Sequence, residues 1–211
     1  MIEKLDEQNL ILACEKLAKT DSDLAFIFNT YGTPPLWARE ANFATLIHII
    51  LEQQVSLASA LSAFNKLKEK IGAVTPEGVL SLSDAEMKAA YFSRQKTIYA
   101  RELAKAVLSG DLNLKSLENL PDEKVKHELI KIKGIGDWTA DIYLLMALLR
   151  ADVMPKGDLA LHVAWQKLKK SERRPASEEF LKSAKKWKPL RAVAARLLWH
   201  FYLSEKKKVE M

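Results

Sequence analysis

Cysteine is almost missing from this 211-residue chain: Cys14 stands alone, so no intrachain disulfide framework and no four-cysteine cluster can be built from it. A reducing, intracellular setting is the expectation. No apolar run approaches the roughly 20 residues of a membrane span, and the start, "MIEKLDEQNL", is charged at once instead of after an apolar signal core. These absences lead us to expect a soluble cytoplasmic protein, associated with the nucleoid were its source bacterial. The four histidines show no metal-ligand spacing, low-complexity linkers and internal repeats are absent, and strand-like alternation hardly appears. Acidic residues are outnumbered only modestly, 27 against 33 basic ones, for a net charge of +6 and a pI near 9.2. Such a balance permits a polyanionic partner without requiring one.

What is present is helical. With 48% apolar residues the chain can bury a large core. "TDSDLAFIFNTYG" reads as a helix capped at Thr20 and ending at Gly32. In "SDAEMKAAYF", Ser83 and Glu86 have the spacing of a reciprocal capping box, and Pro76 in "TPEGVL" takes a first-turn position where its missing N–H costs nothing. From Phe43 to Leu67 an apolar stripe of helical period is interrupted only by "EQQ". The stretch "EEFLKSAKKWKPLRAVAARLLWHFYL" reads as two helices parted at Pro189. An all-α protein of about ten helices is expected.

Glycine is scarce too, seven in all, yet two of them sit one residue apart in "IKIKGIGDWTADIYLLMALL". The run before them carries Val125, Leu129, Ile130 and Ile132; the run after them places Trp138, Ile142, Leu145 and Leu149 on one helical face. The glycines therefore join two helices. Glycine allows a left-handed backbone and close approach of another molecule, and a helix start presents unpaired N–H groups that suit a phosphate. A plain helix-to-helix turn fits the glycines equally well.

"KGIGDWTA" resembles the hairpin of the helix-hairpin-helix DNA glycosylase superfamily, with Ile132, Gly134, Ile135, Gly136, Thr139 and Ala140 matching and Lys133 replacing the usual proline. The resemblance implies an all-α fold of that superfamily, two helical lobes with the active-site cleft between them. It implies that the hairpin, from Lys133, Gly134, Ile135 and Gly136 to Thr139, binds a DNA phosphate, with the Ile132 and Ile135 carbonyls able to hold a sodium or potassium ion. It implies no other cofactor, and with one cysteine no iron–sulfur cluster. Residues 1–211 then form one glycosylase unit: about 45–130 as a middle lobe leading into the hairpin at 130–149, and about 1–44 with 150–211 as the second lobe.

Asp158, in "PKGDLAL", resembles the family's catalytic aspartate, though an N-capping aspartate before an apolar helix fits the same residues. Asp152 is the neighbouring alternative, read as an exposed helix end. Members that also cut the backbone carry a lysine where this chain has Trp138, so the resemblance implies a monofunctional hydrolase. "ILEQQVSLASA", "WTADIYLLMAL" and "WKPLRAVAARLLWHFYL" resemble the alkylpurine branch, the 3-methyladenine DNA glycosylase II type, over roughly Pro34 to Leu203. That branch implies a monomer acting on duplex DNA, releasing 3-methyladenine and 7-methylguanine by base flipping, with Gln53 or Gln54 as the wedge that fills the vacated stack. It also implies a base pocket drawn from Trp199, Trp37, Trp138 and Tyr143; Ile142 stands where some relatives have a pocket tyrosine, with Tyr143 one residue on. Arg94 and Lys96 near a turn are further phosphate candidates, a solvated basic face being the alternative. A non-catalytic hairpin DNA-binding protein and an oxidised-purine glycosylase remain as alternatives.

Overall fold

The computed structural model describes residues 4–210, with side chains through Lys206. Among the described residues there are thirteen α-helices with one π-helical and one 3-10 segment. The only strand-like pairing among them is an isolated antiparallel bridge between Lys4 and Arg150. The excess over about ten helices lies in pieces such as α8 (Leu114–Leu117), too short to show a period in sequence. No helix among the described residues is long and apolar enough to cross a membrane.

The chain divides into two compact units, one made of the N-terminal segment through Ala38 together with everything from Leu149 onward, the other of Arg39–Leu148. The first holds α1 (Glu7–Thr20) and α2 (Ser22–Tyr31), then α11 (Leu159–Leu168), α12 (Ser177–Ala184), a 3-10 turn (Lys185–Trp187) and α13 (Arg191–Glu210). The cap between α1 and α2 is Asp21, one residue past the expected Thr20. Thr20 ends α1 and returns its hydroxyl to the Leu17 carbonyl, while the Asp21 carboxylate accepts the Asp23 and Leu24 N–H groups. The second oxygen of Asp21 accepts the Trp187 indole N–H at 2.7 Å and pairs with Lys186 at 2.7 Å, tying α2 to the turn before α13. Trp165, Phe180 and Trp187 meet edge to face around that anchor.

In the second unit, α3 (Phe43–Glu52) is the central rod, with Leu46, Ile47, Ile49 and Ile50 fully buried. It packs against α4 (Leu57–Ile71), α7 (Arg94–Ser109) and α10 (Asp137–Ile142). Between α4 and α7 come α5 (Pro76–Ser81), started by Pro76, and α6 (Asp84–Ala89), which has the Ser83–Glu86 capping box expected from the sequence. The hairpin's first helix is α9 (Asp122–Ile130).

The hairpin's second helix departs from the expected single stripe. It is α-helical only to Ile142, then widens into a π-helical stretch, Tyr143–Ala147, and Leu149 follows with a left-handed φ of 55°. Trp138 is half-buried, while Ile142 and Leu145 are buried.

Candidate active site

Asp158 caps α11, its Oδ1 accepting the Leu161 N–H at 3.0 Å. The same oxygen accepts the Trp199 indole Nε1–H at 3.1 Å, from α13. Only 7% of the residue is exposed. The start of a helix favours a negative charge there, and both contacts fix the direction of the carboxylate. Trp37 completes the group: its ring meets that of Trp199 edge to face, centroids 6.2 Å apart at 76°. Three residues expected to act together therefore do meet, within one unit.

Trp37 holds a left-handed φ of 50°, a strained state for a tryptophan. Its position is enforced by Arg196, which is completely buried and donates from Nε to the Leu36 carbonyl at 2.9 Å and from a terminal nitrogen to Ala192 at 3.1 Å. Burial lowers the Arg196 pKa to about 10, which still leaves the guanidinium charged at neutral pH. Arg196 stands one turn before Trp199, so one helix carries both the ring and the clamp that sets its partner. The sequence signal was an arginine inside the otherwise apolar run "AVAARLLW".

Asp152 is not an exposed helix end, as expected from sequence. Both of its carboxylate oxygens are bonded by Arg191, at 2.7 and 3.0 Å, in an ion pair that anchors the start of α13. Those contacts occupy Asp152 and leave Asp158 as the acid beside the tryptophans.

In the other unit, the hairpin turn answers why two glycines are needed. Gly134 has φ +97°, and a Cβ there would lie 2.1 Å from Cγ of Tyr99, so its bare Cα is the seat of the Tyr99 ring. Gly136, the N-cap of α10, has an ordinary φ of −102° and open space where a side chain would go. One glycine serves the fold and the other leaves room for an approaching molecule. Lys126 on α9 grips Asp137 at 3.1 Å and Asp141 at 3.0 Å, locking the hairpin's helices together. Lys133 is exposed at the turn, whereas Ile132 and Ile135 point inward.

The polar break after α3 resolves into separate tasks. Glu52 is buried and gripped at both oxygens by Arg39, at 2.7 and 3.1 Å. Gln53, expected as a wedge, instead donates from Nε2 to the Gly134 carbonyl and the Thr139 hydroxyl, both at 2.9 Å. Thr139, expected at phosphate, is 2% exposed and spends its hydroxyl on that brace. Lys96, also expected at phosphate, donates to the Leu51 carbonyl at 2.6 Å, closing the end of α3, and burial lowers its pKa. Gln54 alone is left exposed, with a left-handed φ of 57°. Arg94 is exposed, as a phosphate contact requires.

The remaining pocket candidates come from the other unit of the chain. Trp138 and Tyr143 belong to the hairpin unit. Tyr143 has no exposed surface, its hydroxyl finds no partner, and burial raises its pKa far above the usual phenol value. It is a core residue of its own unit, at the start of the π-helical turn.

The profile of the HhH-GPD superfamily base excision DNA repair proteins matches residues 47–189, and the chain belongs to that family. DNA-3-methyladenine glycosylase 1 of Schizosaccharomyces pombe is 32% identical over 161 residues, covering 74% of this chain and 71% of that protein. The solved S. pombe 3-methyladenine DNA glycosylase Mag1, in complex with abasic DNA, superimposes with a TM-score of 0.83 at 27% identity, covering 92% and 96% of the two chains. A DNA-3-methyladenine glycosidase from Bacillus halodurans superimposes at 0.77 with 27% identity, covering 93% and 91%.

Proposed function

We infer that this protein is a monofunctional DNA glycosylase of the 3-methyladenine type, which flips alkylated purines from duplex DNA and hydrolyses the N-glycosidic bond in base excision repair. The observation that carries the reading is the Asp158 carboxylate, held by Trp199 and the α11 N-terminus, in a family member with Trp138 in place of a Schiff-base lysine.

In this reading the bond from C1′ to the purine N9 breaks with its electron pair leaving on the base. A purine alkylated at N3 or N7 carries positive charge and departs neutral, so no acid is needed to protonate it. Positive charge builds on the deoxyribose, and the Asp158 carboxylate stabilises it. Water adds to C1′ and gives its proton to Asp158, leaving an abasic site. The edge-to-face geometry of Trp37 and Trp199 offers an electron-poor purine one ring face and one ring edge, with cation–π attraction from the face. Gln54 fills the vacated stack, while Gly136 and the α10 N–H groups hold phosphate.

The hairpin carbonyls fit a monovalent cation only in part. The Ile132 oxygen accepts the Ile135 N–H at 3.0 Å and keeps one lone pair, and the Gly134 oxygen is taken by Gln53. Ile132 and Ile135 would be the ligands, and the ion would add positive charge beside the phosphate.

The test is chromatography of bases released from methylated duplex DNA by wild type and Asp158→Asn. Release of 3-methyladenine, with 7-methylguanine, is expected for wild type only; equal release by the variant would sink the assignment. A covalent DNA adduct trapped by borohydride would contradict the monofunctional reading.

A further inference from the structure

Positive charge in this chain is concentrated in one stretch of the sequence. Residues 167–191 hold ten lysines and arginines against three glutamates, a surplus of seven. That exceeds the +6 of the whole chain, so the remaining residues sum to −1. The segment begins at the end of α11 opposite to Asp158, about 15 Å along a ten-residue helix.

The fold gathers the segment into a surface. Lys169 and Lys186, seventeen residues apart, both lie over the Trp165 ring, 4.9 and 5.5 Å from its centroid. The basic run after α11 and the basic run after α12 are thus side by side. Those two lysines are used internally, on Asp23 and Asp21. Lys167, Lys170, Arg174, Lys182, Lys185 and Lys188 are exposed and make no ion pair with any described carboxylate. Favourable placement at a helix C-terminus accounts for Lys167, Lys182 and Lys185, and not for Lys170, Arg174 or Lys188. Unpaired cations this dense repel one another, a cost that a polyanion relieves.

We propose that this surface is a second DNA contact, binding the phosphate backbone of duplex DNA away from the lesion and supplying most of the protein's affinity for undamaged DNA. It contains none of the residues assigned to the hairpin, the wedge or the base pocket. Duplex DNA is the occupant because the cations are spread along two adjacent runs, which suits a regular line of charge better than a compact anion. The proposal rests on the reading of the chain as a DNA enzyme.

The test is fluorescence anisotropy with an undamaged duplex of about 30 base pairs across a salt series, for wild type and the combined variant Lys182→Gln, Lys185→Gln, Lys188→Gln. A control with the same loss of charge on α1 and α6, Lys16→Gln, Lys19→Gln, Lys88→Gln, separates a local surface from net charge. The patch variant should bind about tenfold or more weakly at low salt. Its plot of log affinity against log salt should be shallower by about two to three, close to one per phosphate lost. The control should keep the wild-type slope. Equal slopes for wild type and patch variant overturn the proposal and leave an acidic protein as the surface's partner; equal losses in patch variant and control overturn it as well. Unchanged circular dichroism confirms that both variants fold. Base release by the wild type is scored separately, so failure of the glycosylase reading is not confused with failure of this one.

Discussion

Trp199 donates its indole N–H to the carboxylate of Asp158 at 3.1 Å while its ring meets Trp37. The residue that would recognise the base thus also orients the residue that would cleave it. Trp199→Phe keeps an aromatic ring and removes the donor. A hydrogen bond to a charged acceptor contributes about 1.5–3 kcal/mol, so single-turnover base release should slow at least about tenfold. Affinity for abasic duplex should change little; a large loss of affinity at an unchanged rate would refute the orienting role.

The two hairpin glycines should respond in opposite ways. Gly134→Ala meets Tyr99 and a left-handed backbone, and should lower stability by well over about 1 kcal/mol in thermal melts. Gly136→Ala enters open space, so its melting temperature should hold while binding weakens alike for damaged and undamaged duplexes. A base-selective loss at Gly136 would contradict a phosphate role.

Neighbouring glutamines should separate brace from wedge. Gln53→Ala leaves the Gly134 carbonyl and Thr139 hydroxyl without their donor, and should cost about 1–3 kcal/mol of stability along with DNA affinity. Gln54→Gly relieves a left-handed non-glycine residue, worth about 1 kcal/mol, and should raise the melting temperature slightly while slowing base extrusion, read by 2-aminopurine fluorescence. A Gln54→Gly protein that flips bases at the wild-type rate would remove this residue from the wedge role.

Stability should depend on pH through half-buried His48 and buried His162. Burial lowers the pKa of His48 and of His162 below the ordinary 6.5, against the opposing pull of Glu52 and Asp158 respectively. The unfolded chain then binds more protons in the window between folded and unfolded values. The histidines' contribution is complete above about pH 6.5 and is lost as pH falls through that window toward the lower folded value. His162→Leu, which also removes a buried ring nitrogen with no partner, should flatten the acid side of the melting-temperature profile. An unchanged profile would place the acid sensitivity elsewhere.

Legibility in the sequence followed the range of the forces involved. Local rules reached the capping box at Ser83, the Pro76 start and the hairpin itself, because caps and glycine turns are set by residues a few positions apart. Resemblance reached Asp158, Trp199 and Trp37, and the structure brings these together. Long-range pairing was out of reach. Gln53 meets a carbonyl 81 residues away, Lys96 turns back 45 residues to Leu51, and Asp152 is taken by an arginine 39 residues on. The π-helical turn from Tyr143 to Ala147 is a change of helical register that hydropathy alone does not encode.

The division of the chain sets an order of assembly. The unit with the hairpin and Gln54 is one continuous stretch, Arg39–Leu148, while Trp37 lies before that stretch and Asp158 and Trp199 lie after it. On the ribosome, Arg39–Leu148 emerges whole before Asp158 and Trp199 do, and domains fold as their chain emerges. Trp37 waits through more than half the chain for its partner ring. In the proposed reading the nascent protein would gain its grip on DNA first and its chemistry last, when α13 arrives.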